Sequence, residues 1–133
     1  MAVMGLALMA STMASAQQST AAAAQCVKRV DYPAGTNNYP YNFARFYNTC
    51  NAMIEMFVVG SNGATDFGDV GPGSFLVMTN TAYTGAPLLP TSAYACVAPG
   101  RPTKVGASWQ NGVHWGSPWP SYGDATFECP VVQ

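Results

Sequence analysis

Charge is what this chain has least of: five Lys or Arg and six Asp or Glu in 133 residues, with no charged side chain between Val70 and Gly100. Binding nucleic acid rests on neutralising phosphates with clustered Lys and Arg, and no such cluster exists, so nucleic acid is excluded as the expected partner. The same scarcity argues against acidic membrane surfaces. Histidine is present once, at His114, and the four cysteines include no C-x-x-C pair. Zinc therefore lacks a ligand set, and no metal or cofactor is expected. No N-x-Ser/Thr sequon occurs, which fits a bacterial source. Helical periodicity is missing after residue 25, and no G-x-S-x-G elbow marks a nucleophile.

What is present begins with "MAVMGLALMASTMASA", an apolar, charge-free start that closes on Ala14-Ser15-Ala16. This small-x-small ending predicts a secretory signal peptide over residues 1–16, cleaved after Ala16. As a membrane anchor the run is too short, since a spanning helix needs about 20 apolar residues and polarity returns at Gln17 and Gln18. "QQSTAAAAQ" (17–25) has no turn chemistry and no aromatic, and reads as a flexible linker. Residues 26–133 then form a single domain, bounded almost to the residue by Cys26 and Cys129, with Cys50 and Cys96 between them. In an oxidising compartment an even cysteine count means disulfides, which a small core needs. Three pairings are open; Cys26 with Cys50 and Cys96 with Cys129 close the smaller loops and are preferred. The expected location is secreted or periplasmic, with no transmembrane segment in the mature form.

Gly, Pro, Asn and Ser interrupt the domain every eight to twelve residues, and the pieces between are rich in Val, Phe, Tyr and Thr, which predicts an all-β fold, a small antiparallel β-sandwich or barrel. Strands are expected at 27–30, 42–49, 53–59, 74–79, 93–97, 105–110, 113–115 and 126–131. In "MIEMFVVG" both alternating sets are largely apolar, so this strand should be central and covered on both faces. Glu55 within it must be paired, hydrogen-bonded or protonated. A hairpin of 42–50 with 53–59 would set Asn48 opposite Glu55 and Phe46 opposite Phe57.

The stretch "SWQNGVHWGSPWPSYGD" (108–124) holds all three tryptophans and the histidine. Its Asn111-Gly112 pair predicts a type I′ hairpin that makes Trp109 and His114 cross-strand neighbours and turns Trp115 to the other face. Prolines 118 and 120 leave Trp119 and Tyr122 on an irregular loop. One reading makes these rings scaffold, with Trp119 covering a sheet edge. The other makes Trp119, Tyr122, Trp109, His114 and Asp124 a ligand-binding site for a sugar or peptide. Ser108, His114 and Asp124 can be written as a triad, and carboxylate pairs can be drawn from Asp31, Glu55, Asp66, Asp69, Asp124 and Glu128, yet no spacing singles any of them out. "SNGATDFGDVGPG" (61–73) sets Asn62, Asp66 and Asp69 in a Gly-rich loop whose oxygen ligands could hold Ca²⁺, but it lacks EF-hand spacing, and ordinary turn chemistry is the preferred reading.

The succession "YNTCNAMIEMFVVG", "GPGSF", "YACVAPGRP" and a terminal "FEC" resembles small exported bacterial disulfide-stapled β domains of uncharacterised function. The resemblance covers most of residues 42–129 and implies a compact β domain, with no catalytic residue to carry over. The functional expectation is a non-catalytic β domain that binds a cell-envelope or extracellular glycan or polymer through exposed aromatics. The alternatives are a structural or protein-interaction domain of the envelope, which could use the uncharged run from Val70 to Gly100 as an apolar contact surface, and a small secreted hydrolase.

Overall fold

The computed structural model describes residues 18–109 and 118–132. The expected signal peptide, and the Asn111-Gly112 turn with Gln110, His114 and Trp115, lie outside the described residues. The rest is all-β: β1 (Val27–Tyr32), β2 (Phe43–Asn48), β3 (Ile54–Gly60), β4 (Thr65–Val70), β5 (Phe75–Thr79) and β6 (Thr91–Val97). They form two antiparallel three-stranded sheets, ordered β1-β2-β5 and β4-β3-β6, which pack as a sandwich. Among the described residues no helix is long and apolar enough to cross a membrane.

Register decides what each face carries. Ala44 and Phe46 of β2 pair with Met78 and Leu76 of β5, and all four turn toward the other sheet. There they meet Ile54, Met56 and Val58 of β3, which are fully buried, and Ala95 of β6. β3 is the central strand of its sheet, as its doubly apolar pattern predicts. The disulfides join Cys26 to Cys50 and Cys96 to Cys129, the near-neighbour pairing.

Three expectations fail, each for a physical reason. β2 and β3 do not form a hairpin; residues 49–53 carry the chain from one sheet to the other, so the apolar faces of both strands are buried against each other. Asn48 consequently does not face Glu55. It is buried between the sheets, where its amide donates to Val70 O (2.9 Å) on β4 and to Ala52 O (2.7 Å), and accepts from Cys50 N. Second, 65–70 is a strand, since the ladder with β3 compensates for its Gly and Asp content. Asp66 sits beside Val58 and Asp69 beside Glu55, on opposite faces of β4, so the two carboxylates point away from any shared cation. Third, within the strand expected at 105–110, the described residues 105–109 are not a strand: Val105 and Gly106 are a turn closed by Ala107 N to Lys104 O.

Of the linker expected at 17–25, the described residues 18–23 are paired, 18–20 with the C-terminal segment and 21–23 with β6. Ala23 N donates to Ala95 O and Val97 N to Ala21 O along the edge of β6, while Thr20 N donates to Cys129 O and Val131 N to Gln18 O. The C-terminal segment bonds in turn to residues 101–103, through Arg101 N to Pro130 O and the reciprocal pair between Thr103 and Glu128. The strand expected at 126–131 is thus an extended segment held by single bridges at Glu128, Pro130 and Val131.

Candidate functional site

The outward face of β4-β3-β6 is roofed by the segment after β6. Phe57, Val59 and Tyr94 are buried there, with Trp119 and Phe127 packed on them. Trp119 stacks on Phe57 at 4.4 Å and 8°, touches Phe67 at 5.1 Å and meets Trp109 edge-on at 4.9 Å. Trp109 donates its indole N–H to Thr103 Oγ1 (2.8 Å), and the Arg101 guanidinium lies 4.6 Å from its ring. Of the five residues expected as a binding site, then, Trp109 and Trp119 come together as half-buried parts of this roof. Tyr122 is exposed, on a loop tied down by Tyr94 Oη, which donates to the carbonyls of Ser121 and Asp124. Asp124 accepts from Lys104 Nζ and Ser121 N, both at 2.8 Å, and the Lys104 bond leads in holding its carboxyl below the usual range. His114 lies outside the described residues.

Glu55 also belongs under this roof. Desolvation pushes its carboxyl above the ordinary value, opposed by Arg101, whose Nε donates to Oε1 at 2.9 Å; Asp69 across the strand pair adds to the upward push. Two neighbouring carboxylates with one raised are the raw material of glycoside hydrolysis. Here, however, the Glu55 side chain is only 13% exposed and is neutralised by Arg101.

A second surface went unnoticed in the sequence. The register that buries Ala44 and Phe46 turns Phe43, Arg45 and Tyr47 of β2 outward, beside Tyr32, Val30 and Lys28 of β1 and Phe75 and Val77 of β5. Tyr32 stacks on Phe43 at 5.0 Å and 13°, Tyr39 meets Phe43 edge-on at 5.4 Å, and Tyr47 tilts against Phe75 at 5.3 Å. Arg45 is wedged among them, its guanidinium 4.2 Å from the Phe75 ring and 5.2 Å from Tyr32. Its Nη1 donates to Tyr47 Oη (3.2 Å), which is also bonded to Tyr32 Oη (2.8 Å). Tyr39, Phe75 and Val77 remain exposed. The outward alternation Phe43-Arg45-Tyr47 was the available signal; an apolar inner set masks it in "NFARFYN".

The enclosed space between the sheets is small. A cavity near Arg29, Gly60, Met78 and Leu88 offers about 20 Å³, room for a water and not for a sugar. Beside Tyr32, by contrast, Asp31, Pro33, Asn42 and Leu88 line an open depression of about 360 Å³. Among the described residues no group of three or more His, Cys, Asp or Glu is arranged to hold a metal ion.

Comparison with protein-family models, curated proteins and solved structures finds no match.

Proposed function

We propose that this chain is a non-catalytic binding domain, exported across a bacterial membrane, that holds a cell-envelope or extracellular glycan on the aromatic face of β1-β2-β5. One observation carries the reading: Tyr32, Tyr39, Tyr47 and Phe75 gather on a single sheet face next to an open depression. Flat rings with few rotatable bonds stack on sugar rings at low entropic cost, and the tyrosine hydroxyls suit a hydroxyl-rich partner. Export is supported by the two disulfides, which persist in oxidising compartments.

The site first expected, at Trp119 and Tyr122 with Trp109, His114 and Asp124, is the second reading, favoured by the exposure of Tyr122 near the roof. Polysaccharide pull-down separates the two. Tyr39→Ala with Phe75→Ala should abolish retention while the melting temperature stays near the parent's, and Tyr122→Ala should bind normally. Loss of binding in Tyr122→Ala alone would move the site to the roof. Failure of the parent protein to bind any polymer would favour the protein-interaction alternative.

A further inference from the structure

The charges of this chain are few enough to be followed one by one, and their placement is lopsided. Arg29 pairs with Asp31, Arg101 with Glu55 and Lys104 with Asp124. That leaves two cations, Lys28 and Arg45, and three carboxylates, Asp66, Asp69 and Glu128, out of five and six. Lys28 and Arg45 both point outward from the β1-β2-β5 sheet: Lys28 is opposite Tyr47, and Arg45 is two residues before Tyr47. Diagonal neighbours of this kind lie roughly 7–8 Å apart. None of the acids shares their face. Asp66 and Asp69 are on β4, Glu128 is in the C-terminal segment, and Asp31, which lines the depression beside Tyr32, is on the other face of β1 and paired with Arg29. A protein of net charge −1 therefore carries a face with two uncompensated positive charges.

Arg45 is also held in place. Rings on either side fix its guanidinium plane, Tyr47 takes one donor, and its Nε is covered with no hydrogen-bond partner among the described residues. A guanidinium kept rigid and partly desolvated, with no carboxylate beside it, is prepared for an anion brought from outside.

On the reading of this face as a glycan-binding surface, we infer that its ligand is an acidic polysaccharide bearing carboxylates, a uronate polymer whose sugar rings lie on Tyr32, Tyr39 and Phe75 while a carboxylate meets Arg45 and Lys28. The planar carboxylate matches a guanidinium edge, and the alternating ring and acid of such a polymer match a face that alternates aromatic and cation. Two cations are too few to hold a nucleic acid, whose affinity scales with the number of phosphates neutralised.

The test uses the exported chain with its disulfides intact and measures binding to polygalacturonate, alginate and hyaluronate, each beside its methyl-esterified, uncharged form. Single-stranded DNA and vesicles of phosphatidylglycerol and phosphatidylcholine serve as competing anions. At least one uronate polymer should bind, with affinity falling as salt rises, and its ester should bind about tenfold more weakly. Arg45→Gln should lose a similar factor on the acid and nothing on the ester, whereas Tyr39→Ala should weaken both. Lys28→Gln gives the same charge readout without disturbing ring packing, should Arg45→Gln unfold. Equal binding of acid and ester, unaffected by Lys28→Gln and Arg45→Gln, would overturn the carboxylate assignment and leave the glycan face standing. Binding of DNA or vesicles with no polysaccharide retained would overturn both.

Discussion

At the residue scale, one buried and one half-buried polar side chain set the stakes. Asn48 is one of the few buried polar groups, and its amide bonds Ala52 O, Val70 O and Cys50 N at the crossing between sheets. Asn48→Ala strands buried backbone groups and should cost about 2–3 kcal/mol, read as a drop in urea midpoint with unchanged slope. Glu55 has a different consequence. Its folded-state carboxyl titrates above its ordinary value of 4.5, so between the two values the native state binds more protons than the unfolded chain. Its share of stability is complete below 4.5 and is lost as pH rises through the raised value. Asp124, held low by Lys104, contributes in the opposite sense: its share is present above 3.8 and disappears as pH falls. Melting curves from pH 3 to 7 should show a decline above pH 4.5 that Glu55→Gln flattens. An identical profile in that variant would show the shift to be absent.

At the scale of elements, the edges matter most. β6 would expose a free row of backbone donors and acceptors if residues 18–23 did not pair with it through Ala21 O and Ala23 N. Gly100 completes this arrangement, since a Cβ there would run into the Thr20 side chain and the Cys129 carbonyl. A chain beginning at Ala24 should therefore melt lower and self-associate with rising concentration, detectable by light scattering. Gly100→Ala should reproduce the lower melting point without removing any residue. Strand legibility follows the same logic. β1, β2, β3, β5 and β6 stand out because β-branched and aromatic runs are bounded by Gly, Pro and Asn. β4 does not, because an edge strand borrows its order from β3 and tolerates Gly68 and two aspartates.

For the whole molecule, the two disulfides act on different layers. Cys26–Cys50 closes the end of the β1-β2 pair, and Cys96–Cys129 pins the C-terminal segment against β6. With sequence separations of 24 and 33, each should restrict the unfolded chain by roughly 3–4 kcal/mol. A domain of this size has about 5–15 kcal/mol in all, so full reduction should bring it close to unfolding at 37 °C. Calorimetry with and without reductant checks this; a melting point that reduction leaves unchanged would refute it. The Cys96→Ala, Cys129→Ala double variant should loosen the Trp119 roof first, seen as red-shifted tryptophan emission before the β-sheet signal is lost.

The sequence by itself determined the β class, the breaker positions, the central place of "MIEMFVVG" and a cysteine set fit for disulfides, because these depend on local pattern and spacing along the chain. Only tertiary structure decided which strands share a sheet, since β2 and β3 bury the same apolar faces better across two layers than within one. That choice turned Asn48 inward, gave Glu55 to Arg101 instead of Asn48, and drew Trp109 and Trp119 into a roof over Phe57. It also assembled Tyr32, Arg45, Tyr47 and Phe75 from three strands into one face. Such a surface is made by cross-strand register, a relation between distant residues that no window of the sequence contains.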